Sequence, residues 1–146
     1  MKLIKLVFTI TILMFAVSSW ACTCTMTPIE SHIKETKNIV IIEVVELLDT
    51  PEERIDYYFS KPDQSYRVKV RIITSYKGKL KTGELIDLDS EFSNCDIYFK
   101  DKQKYLLFLD KKKYKYSVRH CSYSESIENG DKNIVAIETV LKKDKK

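Results

Sequence analysis

Glycine is scarce in this chain, with 3 in 146 residues, which excludes the glycine-rich loops that cradle phosphates. Histidine is scarcer still. Neither His32 nor His120 has a serine or cysteine at a spacing that signals a nucleophilic triad. A charge surplus is also lacking, since 25 Lys and Arg face 21 Asp and Glu, a net +4. Lys2 and Lys5 fall in a segment expected to be removed, which leaves 23 basic against 21 acidic residues and a net +2. That is too close to neutral for a protein that holds nucleic acid by neutralising phosphates. No apolar run reaches the roughly 20 residues of a membrane span. There is no internal repeat. Paired carboxylates such as Glu52-Glu53 lie in a polar stretch and read as solvated. No catalytic constellation emerges, so neither an enzyme nor a cofactor is expected.

What is present begins with a leader. Lys2 and Lys5 precede the short apolar run 6–17, and Ser19 and Ala21 supply the small residues a signal peptidase reads. The expectation is a signal peptide over 1–21 and one domain over 22–146, with Cys22 as the first mature residue. Such a chain is secreted or extracytoplasmic, in an oxidising compartment, with no stable membrane insertion after cleavage. A lipid-anchored envelope protein modified at Cys22 is the alternative. Against it, Trp20 is bulky where lipoprotein signals carry a small residue, and lipidation would leave an odd number of cysteines.

The mature chain reads as mainly β. Thr27-Pro28-Ile29-Glu30 has the form of a capping box with proline at the first helical position, which predicts a short helix over 28–37. His32 is placed on its exposed face. The β-branched run 38–48 predicts a long, largely buried strand. Residues 49–64, with Pro51 and Pro62, form a polar connection that carries the aromatic knot Tyr57-Tyr58-Phe59. Tyr66, Val68, Val70 and Ile72 alternate with Arg67, Lys69 and Arg71, a half-buried strand whose basic row faces solvent. Lys77-Gly78-Lys79 and Thr82-Gly83 mark a turn. Residues 84–89, 105–109 and 114–119 read as three further strands. Ile134, Ile137 and Leu141 recur at helical spacing, which predicts a second helix over 133–141 before a lysine-rich tail. Five strands with flanking short helices suggest a five-stranded Greek-key barrel of the OB type, with a two-sheet sandwich as the alternative.

The cysteines carry the most specific signal. Four of them, Cys22, Cys24, Cys95 and Cys121, allow three pairings. Joining Cys22 to Cys24 would strain a very small ring, so each reaches a distant partner. Each bridge then closes a loop of about seventy residues or more, for which the chain-entropy account gives an upper figure of about 4 kcal/mol. Two other uses compete with disulfides. Cys22, Cys24, His120 and Cys121 form a Cys3His set for zinc, but the spacing is irregular and lacks a C-x2-C pair. A redox C-x-C lacks a surrounding βαβ pattern.

Several segments in order now resemble a known family. They are Cys22-Thr23-Cys24, Pro28, the strand after Asn38, and Tyr66-Arg67-Val68-Lys69-Val70 leading into Tyr76-Lys77-Gly78. Ser93-Asn94-Cys95 with Tyr98-Phe99 follows, then Tyr105-Leu106-Leu107 and Val118-Arg119-His120-Cys121-Ser122. Over about residues 22–122 the chain resembles the N-terminal, netrin-like OB domain of the tissue inhibitors of metalloproteinases. It is nearer the compact single-domain relatives outside animals than the two-domain animal proteins. It departs from the latter in lacking a third bridge in this domain and in carrying Asp96 where glycine is common.

The resemblance implies the pairings Cys22–Cys95 and Cys24–Cys121. It implies a monomeric inhibitor whose partner is a zinc metalloprotease. The free α-amine and the carbonyl of Cys22 would chelate the protease zinc, while Thr23 enters the adjacent specificity pocket. Cys24, Ser93 and Asn94 would contact the protease. Tyr57, Tyr58 and Phe59 are either interface anchors or a small cluster covering the barrel end. A netrin-like binding module without protease-inhibitory activity would share the same fold and bridges.

Overall fold

The structure, a computed structural model, describes residues 24–55, 63–90, 97–113, 115–119 and 121–144. Among these residues, three helices and eight strands follow in chain order: α1 (Ile29–Glu35), β1 (Asn38–Leu47), α2 (Pro51–Ile55), β2 (Gln64–Ser65), β3 (Arg67–Lys77), β4 (Leu85–Asp89), β5 (Phe99–Lys100), β6 (Lys104–Lys112), β7 (Lys115–Val118), β8 (Glu125–Ser126) and α3 (Ile127–Lys143).

Five of these strands close a barrel. The order β1-β3-β4-β7-β6 returns to β1, because β1 pairs with both β3 and β6. All of these pairings are antiparallel except β4 with β7, which meet in parallel at Leu88 and Tyr116. This mixed, closed, five-stranded arrangement is an OB-type barrel. The sandwich alternative is set aside by the closure. Opposite β3, strand β1 has three register irregularities, and such bulges bend a strand so that it can serve two neighbours.

Two apolar layers explain the sequence pattern. Val40, Ile42 and Val44 of β1, Val68, Val70 and Ile72 of β3, and Tyr105, Leu107 and Leu109 of β6 fill the barrel interior. The intervening residues of β1 and β6, Ile39, Leu106 and Phe108, form an outer cluster with Ile33 of α1 and Ile137 of α3. These two strands are therefore covered on both faces, which is why 38–44 and 105–109 read as apolar runs without alternation. Strand β3 has one face in the core. Tyr66, Val68, Val70 and Ile72 are buried as predicted, and Arg67, Lys69 and Arg71 pair with carboxylates on the opposite face.

Several details differ from the sequence-based expectation. Helix α1 starts at Ile29 with Pro28 as its cap and without a side-chain capping bond, so the Thr27–Glu30 box does not form. His32 is buried, 6% exposed. It lies three residues after Ile29 and one before Ile33, on the face that packs against the barrel. The connection after β1 contains α2. Helix α3 runs from Ile127 to Lys143, longer than the predicted 133–141.

Candidate functional site

Residues 24–28 form a short extended arm before α1. Thr25, Met26, Thr27 and Pro28 are exposed, and Cys24 is half-buried. A disulfide joins Cys24 to Cys121, with Cα atoms 5.4 Å apart and a sequence separation of 97. Cys121 adopts φ +50°, a left-handed turn just beyond β7. A second fastening lies at Thr27, whose carbonyl accepts a 2.8 Å bond from the Tyr123 hydroxyl. The Tyr123 ring packs edge-on against His32, with centroids 5.3 Å apart. The bridge and this hydroxyl hold both ends of the short arm to the segment after β7.

Helix α1 is then locked in turn. Lys77 donates to the carbonyls of Ile33 and Lys34, at 2.6 and 2.9 Å, near the negative end of the helix. Arg119, two residues before Cys121, donates to Thr36 at 3.2 Å and to Glu35 at 2.7 Å. The buried Nδ1 of His32 has no hydrogen-bond partner.

A second cluster fixes the connection after β1. Asp49 is buried, and its carboxylate accepts from the Ser65 hydroxyl at 2.6 Å, from the Tyr66 and Arg67 amides at 2.7 and 3.1 Å, and from Arg67 Nε at 2.5 Å. Burial alone would push this carboxyl up. The bonds from Ser65, the Arg67 side chain and the two amides outweigh burial and hold it below the ordinary carboxylate value. Next in the chain, Thr50 and Glu53 exchange reciprocal bonds, with Thr50 N–H donating to Glu53 at 2.7 Å and Glu53 N–H donating to Thr50 at 3.2 Å. This is a capping box at the start of α2.

A third anchor sits beside it. Strand β2, at the exit of this connection, pairs with β5, which follows the third cysteine's segment. The Tyr66 and Tyr98 rings lie 4.8 Å apart, and Ser90 donates to the Tyr66 carbonyl at 3.1 Å. The flanks of the 49–64 connection and of the segment carrying Ser93 and Asn94 are thus brought side by side.

Of the residues singled out from the sequence, Cys24 and Cys121 are joined as the resemblance implies. Cys22, Thr23, Tyr57, Tyr58, Phe59, Ser93, Asn94, Cys95 and His120 lie outside the described residues, and with them the Cys22–Cys95 pairing. The Cys24–Cys121 bond removes two of the four donors of the Cys3His zinc set, and it leaves no bond between Cys24 and Cys22 for a redox C-x-C. Among the described residues no group of three or more His, Cys, Asp or Glu is placed to hold a metal ion. No helix among them is long and apolar enough to cross a membrane. The disulfide fits an extracytoplasmic, oxidising compartment.

The sequence reading missed Asp49, Arg119 and Tyr123. Asp49 had a local signal, as the first charged residue after the apolar run of β1 and directly before Thr50-Pro51-Glu52-Glu53. Arg119 and Tyr123 act across 83 and 96 residues, a separation that a local pattern does not report. No protein-family model matches this chain, and no curated protein matches it.

Proposed function

We propose that the protein is a secreted inhibitor of zinc metalloendopeptidases, related to the tissue inhibitors of metalloproteinases. The observation that carries this reading is the Cys24–Cys121 bridge. It pins the chain two residues after Cys22 onto an OB-type barrel, where an inhibitor of this kind needs a rigid N-terminal wedge.

The chemistry follows from the wedge. Cleavage after Ala21 gives Cys22 a free α-amine next to its own carbonyl oxygen, and the two form a five-membered chelate on a metal. A catalytic zinc keeps one position open for water, and such a chelate displaces that water. The amine binds in its neutral form, and its reference pKa of about 7.7–8.0 makes that form accessible near neutrality. Thr23 then points into the protease pocket as a substrate side chain does. Holding the arm in place before encounter reduces the entropy lost on binding. The zinc belongs to the protease, and the inhibitor needs no metal of its own. Ser93, Asn94 and the Tyr57-Tyr58-Phe59 segment supply the flanking contacts.

The test is a titration of zinc proteases with two forms of the protein, one starting at Cys22 and one retaining Ala21. The Cys22 form inhibits. The extended form keeps the fold and loses inhibition, because its α-amine has moved one residue away. Equal inhibition by both forms would falsify the chelation mechanism. Absence of inhibition by either form would leave the netrin-like binding module.

A further inference from the structure

The segment after β7 works in two directions. Arg119, Cys121 and Tyr123 reach the arm and α1. Arg119 donates to Glu35 and Thr36 at the end of the helix, Cys121 is bonded to Cys24, and Tyr123 donates to the Thr27 carbonyl. Ser122 and Ser124 reach back to the barrel. Their hydroxyls lie 2.7 Å apart, and that of Ser124 accepts from the Phe108 amide of β6 at 2.9 Å. The odd positions therefore hold the arm and the even positions hold β6.

The Tyr123 ring is itself braced. It meets the His32 ring of α1 edge-on, and its centroid lies 6.4 Å from that of Phe108 on β6. His32 and Phe108 also meet edge-on, at 6.5 Å. Three rings from three elements thus fix the place of one hydroxyl, which binds the arm three residues beyond the disulfide. A disulfide alone sets a distance and leaves the chain free to turn about it. A second point of attachment sets a direction. Cys22 lies two residues before Cys24, at most about 7 Å along the chain, so a turn of about 10° about Cys24 carries its amine by about 1.2 Å. Productive sites hold their groups to within about 0.5 Å. A bridge at Cys22 would hold that sulfur, but the chelating groups are main-chain atoms, whose direction follows the run of the arm.

We propose that Tyr123 is a positioning residue of the inhibitor: its hydroxyl, by binding the Thr27 carbonyl, sets the direction in which the arm presents Cys22. This rests on the inhibitor reading above and deepens it. Tyr123 spends its hydroxyl on the arm and not on the protease, which gives the role a kinetic signature. Without the hydroxyl, the free arm samples other directions and only the competent fraction docks, so the apparent affinity falls by that fraction. The loss appears in association. Dissociation is unaffected, because the protease holds the arm once the complex has formed.

The experiment uses the mature protein starting at Cys22, with Tyr123→Phe, which keeps the ring, and Tyr116→Phe as a control that removes a hydroxyl away from the arm. Progress curves with a zinc metalloprotease give the association and dissociation rates, and amide hydrogen exchange reports on Thr25, Met26 and Thr27. Thermal melting confirms that both variants are folded. Tyr123→Phe should associate about three- to tenfold more slowly, the value of one net hydrogen bond, with an unchanged dissociation rate and faster exchange in the arm. Tyr116→Phe should match the unmodified protein in all three. With the unmodified protein inhibiting, the proposal is overturned by an unchanged association rate, by a change confined to dissociation, by unchanged exchange in the arm, or by the same loss in Tyr116→Phe. An unmodified protein that inhibits no zinc protease overturns the inhibitor reading itself, and the positioning role falls with it.

Discussion

At the scale of single residues, Gly78 and Asp49 show how much of this fold depends on atoms that a pattern of residue types does not display. Gly78 is readable in the sequence as a turn signal, but its necessity comes from Asn38 and Lys37, whose Oδ1 and carbonyl oxygen occupy the space of a Cβ at 2.2 and 2.7 Å. Replacing it with alanine adds a clash to a left-handed backbone, so Gly78→Ala should cost about 2 kcal/mol or more. Chemical denaturation measures this, and an unchanged midpoint would contradict the packing described. Asp49→Asn removes a buried carboxylate that accepts four bonds and should cost about 2–3 kcal/mol at neutral pH. Its pKa is depressed in the folded state, so its stabilising effect is present above the unfolded value near 3.9 and is lost as the pH falls through the lower folded value. The stability gap between Asp49→Asn and the unmodified protein should therefore narrow in acid, below about pH 4. A gap that is the same at pH 3 and pH 7 would show that the carboxylate charge is not what the cluster uses. His32 illustrates the opposite limit. Its i+3 relation to Ile29 places it on the packed face, against the exposed position expected from the sequence.

At the scale of elements, the period-2 and period-3.6 signals were legible and the boundaries were not. The alternation in 66–72 identified the buried face of β3 correctly, and Ile134, Ile137 and Leu141 identified the packed face of α3. The same four-residue form, Thr-Pro-x-Glu, occurs twice. It caps α2 through Thr50 and Glu53, whereas at Thr27 the chain is held by Tyr123 and the bridge at Cys24, and the helix begins one residue later without the box. Tertiary fastening overrides the local preference there. Two outcomes belong to this scale. Ile137 is fully buried between α3 and the barrel, so Ile137→Ala should cost about 2–4 kcal/mol in thermal or chemical unfolding. Loss of less than 1 kcal/mol would mean that α3 does not seal the outer face. Removing the bridge by Cys24→Ser with Cys121→Ser should lower stability by at most about 5 kcal/mol while the far-ultraviolet spectrum of the barrel persists. Collapse of the barrel in that variant would make the bridge part of the core and not a fastening for the arm.

At the scale of the whole molecule, the OB-type barrel was accessible from five strands and their punctuation, because each barrel strand buries at least one face and carries the matching period. The contacts that fix the arm were not accessible, since Tyr123 and Arg119 reach residues far away in sequence. The cysteines bridged part of that gap, since Cys24 and Cys121 are joined as the resemblance implies.

The most direct measurement of the central claim uses a metalloprotease whose zinc is replaced by cobalt, an ion whose visible absorption reports its ligands. Adding the protein that starts at Cys22 should change that spectrum as nitrogen and oxygen enter the open coordination position, and adding the form that retains Ala21 should leave it unchanged. A complex of the Cys22 form with an unaltered cobalt spectrum would contradict the account.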